Sequence, residues 1–171
     1  MKTNVTLIGM PGAGKSTIGI ILAKMLSFGF IDTDVLIQIN HQKLLQQIID
    51  ENGYLALRKI EETELLKINI DHHVIATGGS AIYSDKAMTH LRNISCVTFL
   101  KADCKTLLAR IDNLDNRGIT RAAHQSFEDL YLERQALYEK YADMTVDCNH
   151  PGQERIAGII ADRYRSQKAS L

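Results

Sequence analysis

A run of glycines around one lysine near the start of the chain has the composition of a phosphate-binding loop. Residues 9–17 read Gly-Met-Pro-Gly-Ala-Gly-Lys-Ser-Thr and match the pattern G-x-x-x-x-G-K-[ST]. Glycines let the backbone curl so that its N–H groups point at phosphate oxygens, and a following helix adds partial positive charge. A glycine-rich turn without a ligand is the alternative, which the position between a predicted strand and a predicted helix disfavours. The predicted ATP-binding residues of this loop are Gly12, Ala13, Gly14, Lys15, Ser16 and Thr17.

Two aspartates follow the second predicted strand, where residues 30–34 read Phe-Ile-Asp-Thr-Asp. Side chains two apart on a strand point to the same side, so Asp32 and Asp34 should project together from the edge of the sheet. Because two unpaired carboxylates repel, a cation is expected nearby, and Mg²⁺ held by Ser16 and Asp32 is the candidate. Asp34 could then accept a hydrogen bond from a substrate hydroxyl. The alternative is that Asp34 only caps the next helix.

The apolar pattern around these motifs predicts a parallel α/β fold. Short strand-like runs are expected at residues 5–8, 28–33, 74–77, 96–100 and 144–146. Helical patterns are expected at residues 17–26, 44–51, 54–70, 85–91, 127–141 and 153–165, and in a helix that Asp103 caps and that ends near residue 111. Strand and helix in alternation predict right-handed crossovers and a mostly parallel sheet with helices on both faces. Ligands bind beyond the carboxyl ends of such strands, which is where both motifs lie.

Whole-chain composition limits the partners of the protein. The chain has 171 residues, which predicts one domain over 1–171, and its 20 Lys and Arg balance its 20 Asp and Glu. General binding to nucleic acid or to an anionic membrane is therefore not expected. The start of the chain lacks the apolar run of a signal peptide, and no run approaches the ~18 residues of a membrane span. Three widely spaced cysteines indicate reduced thiols in a cytoplasmic protein, which we expect to be a monomer.

A set of motifs in fixed order resembles the shikimate kinase family over essentially the whole chain. The set comprises the phosphate loop, Asp32-Thr33-Asp34, Arg58 and Ala76-Thr77-Gly78-Gly79. The resemblance implies a three-layer P-loop kinase fold with a five-stranded parallel sheet, acceptor-binding helices at about 34–62 and a mobile lid at about 113–125. It also implies transfer of the ATP γ-phosphate, with Mg²⁺, to the 3-hydroxyl of shikimate.

The resemblance implies roles on the nucleotide side of the site. Lys15, Asp34 and Arg117 would be the catalytic residues, because phosphoryl transfer depends on positioning and on neutralising charge on the γ-phosphoryl oxygens. Arg110 would lie near adenine, and Arg117 would reach the phosphates from the lid. Asp32 would help to hold Mg²⁺.

The resemblance implies further roles on the acceptor side. Arg58 and Arg134 would bind the substrate carboxylate with their planar guanidinium groups, and Glu61 would orient Arg58. Asp34 would bind the reacting hydroxyl. Taken singly, each arginine could also be a solvated residue on a helix surface. The glycine-rich turn expected against the substrate consists of Gly78, Gly79 and Ser80.

The chain departs from the family pattern on the acceptor side. Ser80 replaces a third glycine, Gly118 replaces the proline after the lid arginine, and Ile49 and Leu57 replace aromatic residues. These changes alter the walls of the pocket and leave its charged contacts in place. A related kinase for a different small hydroxy acid or polyol is therefore the second hypothesis. A non-catalytic nucleotide-dependent switch is the third, and the Asn-Lys-x-Asp sequence typical of Ras-type switches is absent.

Overall fold

A five-stranded parallel sheet lies at the centre of the computed structural model, which describes residues 2–111, 119–120, 122, 124–150 and 152–169. The strands are β1 (Asn4–Ile8), β2 (Gly29–Asp32), β3 (His73–Ala76), β4 (Ser95–Lys101) and β5 (Met144–Asp147). Their order is β2-β3-β1-β4-β5, and each neighbouring pair is parallel. The predicted α/β fold with a five-stranded parallel sheet is confirmed.

Helices connect the strands and supply the outer layers. In chain order they are α1 (Lys15–Leu26), α2 (Thr33–His41), α3 (Leu45–Asn52), α4 (Tyr54–Leu66), α5 (Asp85–Ile94), α6 (Cys104–Arg110), α7 (Phe127–Tyr141) and α8 (Gln153–Ala169). A short 3-10 turn (Ala81–Tyr83) precedes α5. The central strand β1 is fully buried from Asn4 to Ile8 because both of its faces are covered, whereas the edge strands β2 and β5 are partly exposed.

Neighbouring residues of β1 identify the two faces of the sheet. The Thr6 hydroxyl bonds to the Ser95 hydroxyl, which in turn donates to the Leu91 carbonyl of α5. Leu7 points to the opposite face, where α1 packs so closely that a Cβ on Gly19 would lie 3.4 Å from the Leu7 side chain. Since α8 packs against α1, and α7 stacks Tyr138 on Phe99 of β4, the molecule has three layers.

The sequence-based boundaries were wrong around the second crossover. From the apolar pattern, residue 33 was expected to end a strand and the next helix to begin near residue 44, whereas the resemblance implied helices from about residue 34; in the structure α2 begins at Thr33. Asp32 caps this helix, because its Oδ1 accepts the N–H groups of Asp34 at 3.0 Å and Val35 at 3.4 Å. Asp34 therefore lies in the first turn of α2, so neither the strand-alternation argument nor the capping alternative describes it. Asp103 does stand at the N-cap of α6, but its side chain makes no capping hydrogen bond.

Two further expectations concern the predicted lid and membrane-spanning segments. Residues 112–118, 121 and 123 lie outside the described residues, and with them most of the predicted lid at 113–125, including Arg117 and Gly118. Within the part of the chain that the structure describes, no helix combines the length and the apolar character needed to cross a membrane.

Candidate active site

The phosphate loop connects β1 to α1 in the predicted way. Gly12 and Gly14 adopt φ angles of 83° and 92°, which side chains with a Cβ rarely tolerate. The Ala13 N–H donates to the Met10 carbonyl at 3.1 Å and closes the turn. Lys15 folds back over the loop and donates its Nζ to the carbonyls of Gly9 at 2.8 Å and Met10 at 3.0 Å. The loop thus presents an ammonium group beside the N-terminus of α1, as phosphate binding requires.

Two titratable groups face each other beside this loop. Burial lowers the pKa of Lys15 to about 8, although the nearby carboxylates of Asp34 and Asp32 raise it. Burial likewise raises the pKa of Asp34 to about 6, against the attraction of the Lys15 ammonium. At neutral pH Asp34 is therefore mainly ionised and can accept a hydrogen bond from a hydroxyl group, while Lys15 still carries its charge.

Ser16 and Asp32 provide neighbouring oxygen atoms at the start of α1 and the end of β2. The Ser16 hydroxyl donates to Oδ2 of Asp32 at 2.5 Å, and the other carboxylate oxygen holds the first turn of α2. Hydroxyl and carboxylate oxygens suit Mg²⁺, which takes few protein ligands and completes its shell with phosphates and water. The two side chains therefore fit the predicted metal-binding role.

The turn after β3 brings two carboxylates against its glycines. A Cβ added to Gly78 would clash with Oε1 of Glu61 and with Oδ1 of Asp34. The Ser80 hydroxyl donates to Oε2 of Glu61, whereas Oε1 finds no donor among the described residues. Burial raises the pKa of Glu61 to about 7, and the charge of Asp34 adds to this rise. The turn is thus lined by acceptor oxygens whose charge depends on pH near neutrality.

The two arginines predicted to bind a carboxylate converge on one oxygen atom. Arg134 of α7 is 1% exposed, and its Nη2 donates to the Thr120 carbonyl at 2.9 Å and to the Thr120 hydroxyl at 3.1 Å. Arg58 of α4 donates its Nη2 to the same carbonyl at 3.4 Å. The prediction that Glu61 orients Arg58 is wrong, since Glu61 pairs with Ser80 and the Arg58 guanidinium lies 3.6 Å from the Tyr83 ring centroid.

Arg110 lies at the end of α6 and lines the same cleft as the phosphate loop. Its Nη2 donates to the carbonyl of Cys148 at 2.8 Å and to that of Asn149 at 3.3 Å. These contacts hold the guanidinium against the loop that follows β5. Its predicted position beside adenine stays a prediction.

One cleft of about 880 Å³ brings most of the predicted residues together. The predicted site residues that line it are Gly12, Gly14, Lys15, Ser16, Thr17, Asp34, Gly78, Gly79, Ser80, Arg110 and Arg134. The other three predicted residues in the described part of the chain do not line this cleft. Ala13 belongs to the loop but is buried, and Asp32 bonds to Ser16, which does line the cleft. Arg58 lines two smaller cavities of about 350 and 360 Å³.

Sequence reasoning placed the apolar wall of the cleft only in part. Leu57 lines the cleft as expected, together with Ile37 and Leu45, which the sequence did not single out. Ile49 is not among the lining residues and packs against the small apolar cluster that includes Ile37 and Leu57. Thr120 was also missed; it follows the predicted lid arginine by three residues, and no motif marks its main-chain oxygen.

Comparison with known proteins agrees with this geometry. A sequence model of the shikimate kinase family matches residues 11–165. A shikimate kinase of Clostridium botulinum (strain Eklund 17B / Type B) is 38% identical over 141 residues, which are 82% of this chain and 84% of that protein. A shikimate kinase of Staphylococcus haemolyticus is 34% identical over 91% of each chain. The structure of a shikimate kinase from Acinetobacter baumannii in complex with shikimate matches with a TM-score of 0.91 and 28% identity, over 98% of this chain and 96% of that one. The chain belongs to the shikimate kinase family.

Proposed function

We propose that the protein transfers the γ-phosphate of ATP to the 3-hydroxyl of shikimate, as an ATP-dependent kinase of its family. The observation that carries this proposal is the cleft itself, which Lys15, Asp34 and Arg134 all line. A small hydroxylated acid bound there could place its hydroxyl at Asp34 and its carboxylate at Arg134. Membership of the family and the similarity to a shikimate-bound relative support shikimate as that acid.

The residues of the cleft support a mechanism of positioning and charge neutralisation. The loop amides and Lys15 bind the phosphates, and Asp34, with its pKa of about 6, accepts a hydrogen bond from the reacting hydroxyl. Mg²⁺ held by Ser16 and Asp32 would neutralise charge on the phosphate oxygens. Asp34 orients the hydroxyl and takes its proton late in the transfer. Arg117 would add charge from the lid, a role that stays a prediction from the resemblance.

Two arginines suit the acceptor carboxylate. The Thr120 carbonyl oxygen already accepts hydrogen bonds from both Arg58 and Arg134, so these guanidinium groups can share one acceptor oxygen. A carboxylate offers two such oxygens with full negative charge, and it would therefore bind them more strongly than a carbonyl does. We expect Arg58→Ala and Arg134→Ala to raise the acceptor KM at least tenfold with the ATP KM unchanged. Arg92→Ala, which alters a partly exposed arginine paired with Asp143, is the control.

A coupled assay of ADP release with shikimate, homoserine and gluconate tests the proposed acceptor. Turnover on shikimate supports the proposal, whereas turnover on another acceptor with none on shikimate would replace it by the second hypothesis, a kinase for a different hydroxy acid or polyol. Ser80 and Leu57 in the cleft wall favour that alternative. ATP binding without turnover on any acceptor would favour the nucleotide-dependent switch.

The proposed Mg²⁺ site has its own test. Turnover should disappear in excess EDTA and return with added Mg²⁺. Asp32→Asn should raise the Mg²⁺ concentration needed for half-maximal rate about tenfold, because a neutral amide binds the cation less well than a carboxylate. Asp162→Asn, at a side chain 81% exposed, should leave this requirement unchanged.

We further propose that the protein acts as a cytoplasmic monomer on small molecules, without nucleic acid or membrane partners. Its equal numbers of acidic and basic residues and its three free cysteines are consistent with this. Size-exclusion chromatography with light scattering should give a mass near 19.1 kDa. A mass twice as large would contradict the monomer, and recovery in the membrane fraction of expressing cells would contradict the location.

A further inference from the structure

Tyr83 contacts both arginines proposed to bind the acceptor carboxylate. It ends the 3-10 turn (Ala81–Tyr83) that follows the glycine-rich turn. The Arg58 guanidinium lies 3.6 Å from the centroid of its ring. The hydroxyl of the same side chain accepts a hydrogen bond from Nε of Arg134 at 3.3 Å and donates to Oε1 of Glu133.

The ring of Tyr83 supplies the closer of two aromatic contacts to the Arg58 guanidinium. Nε of Arg58 is buried and has no hydrogen-bond partner among the described residues, and its Nη2 has only the long bond to Thr120. A guanidinium over an aromatic face is attracted by the ring quadrupole and keeps a fixed plane. The second ring near Arg58, that of Tyr54, is more distant at 5.1 Å. The plane of the Arg58 guanidinium therefore depends mainly on Tyr83.

The hydroxyl of Tyr83 acts on Arg134 in a different way. Nε of Arg134 bonds to this hydroxyl and Nη2 bonds to Thr120, so two edges of the guanidinium are fixed. The third nitrogen, Nη1, lies 2.8 Å from the position of a Cβ on Gly79, at the wall of the cleft. The orientation of the nitrogen that faces the cleft thus follows from the bonds made by the other two.

The same hydroxyl also engages a carboxylate that could compete with the acceptor. Glu133 precedes Arg134 in the chain, and its two oxygens accept hydrogen bonds from Tyr83 and Gln125. A free Glu133 carboxylate would compete with an incoming acid for the two arginines, since an ion pair forms readily at this range. By donating to Glu133, Tyr83 leaves the two arginines available to the carboxylate of the acceptor.

We propose that Tyr83 is a positioning residue for the acceptor carboxylate: its ring orients Arg58, and its hydroxyl orients Arg134 and engages Glu133. This inference rests on the proposed function, in which the two arginines bind that carboxylate. It assigns to the 3-10 turn a part in selecting acids over neutral acceptors. Tyr83 itself is not required to touch the phosphoryl group or the reacting hydroxyl.

The test compares an acid with its ester in two Tyr83 variants. Tyr83→Phe keeps the ring and removes the hydroxyl, and Tyr83→Leu removes both. Turnover is measured on shikimate and on methyl shikimate, whose carboxylate is masked, with the ATP KM as a second readout. We expect the shikimate KM to rise about threefold in the Phe variant and about tenfold or more in the Leu variant. The KM for the methyl ester and for ATP should stay within twofold.

Matched controls separate positioning from stability. Tyr131→Phe and Tyr131→Leu alter a partly buried tyrosine of α7 that packs against the main core, and they should not change the preference for the acid. Equal loss on acid and ester, or unchanged KM in both Tyr83 variants, would overturn the inference. If the Leu variant does not fold, the Phe variant decides alone, because its hydroxyl is lost with little change in packing. Absence of shikimate turnover in the wild type would instead refute the proposed function, and the acid–ester comparison would then use the acceptor that turns over.

Discussion

Replacing Asp34 by asparagine should make the ligand-free protein more stable and nearly inactive. The pKa of this carboxyl is raised from an ordinary 3.8 to about 6 by burial, with only partial compensation from Lys15. Because the pKa is higher in the folded than in the unfolded state, the protonated carboxyl is the form that favours folding. Its contribution to the free energy of unfolding is complete below about pH 4. That contribution is lost as the pH rises through 6 and the buried group ionises.

The size of the effect follows from the two pKa values. Each pKa unit between folded and unfolded states corresponds to about 1.4 kcal/mol. The ionised carboxylate should therefore lower the free energy of unfolding by about 3 kcal/mol at pH 8 and by about 1 kcal/mol at pH 4.5. An asparagine side chain has a similar shape and no charge, so Asp34→Asn should recover most of this free energy, and more of it at the higher pH.

Urea unfolding of the wild type and of Asp34→Asn at pH 8 and at pH 4.5 measures this difference. Asp162→Asn serves as the matched control, because its side chain is 81% exposed and should change stability by under about 0.5 kcal/mol. An unchanged stability at pH 8, or the same gain at both pH values, would refute the reasoning. Phosphoryl transfer is measured in parallel, and near-normal turnover in Asp34→Asn would remove Asp34 from its proposed role at the reacting hydroxyl.

Three other substitutions test separate parts of the site. Lys15→Ala should lower kcat by about a hundredfold or more while thermal unfolding stays cooperative, since the ammonium bonds only to two loop carbonyls among the described residues and is proposed to bind phosphates; a rate within threefold of wild type would contradict this. Ser80→Gly removes the donor that lowers the pKa of Glu61, so the pKa of this carboxyl, followed by NMR titration, should rise, and an unchanged pKa would contradict this reasoning. Tyr138→Phe removes a buried hydroxyl that donates to the Gly79 carbonyl at 2.7 Å, and it should lower the free energy of unfolding in urea by about 1–2 kcal/mol. An unchanged free energy of unfolding would contradict this and would mean that water replaces the hydroxyl.

The fold could be predicted where burial alone determines the pattern. The inner strands β1, β3 and β4 are mostly buried, and all five strands were located to within about two residues. The apolar pattern did not reveal α2, because Val35, Leu36, Ile37 and Ile39 form a nearly continuous apolar run without a clear helical period. Ile37 is 1% exposed, whereas Val35 and Ile39 are 48% and 66% exposed, so this run does not mark one buried face. The capping bonds of Asp32 favour the helix instead.

The site could be predicted only where its geometry is local in sequence. The phosphate loop forms from consecutive residues, and its glycines and Lys15 lie as the motif requires. The partners of Glu61 and Arg58 depend on how α4 packs against a turn 19 to 25 residues further along the chain, which no spacing rule describes. Ser80 was read as an intrusion into the pocket wall. In the structure its hydroxyl is instead the donor that Glu61 uses, so the substitution changes a hydrogen-bond network as well as a shape.

The burial of charged groups that supports phosphoryl transfer also lowers the stability of the ligand-free protein. Lys15, Asp34 and Glu61 all have pKa values moved toward neutrality by burial, so each is held in a less favourable charge state than it would have in water. Phosphates, a cation and an acceptor hydroxyl would supply the missing partners. Ligands should therefore stabilise the protein most at the pH where these groups are charged, and substitutions that stabilise the empty cleft should weaken transfer. In the ligand-free protein these carboxylates lie against the glycine-rich turn, whose Gly79 carbonyl accepts a hydrogen bond from Tyr138.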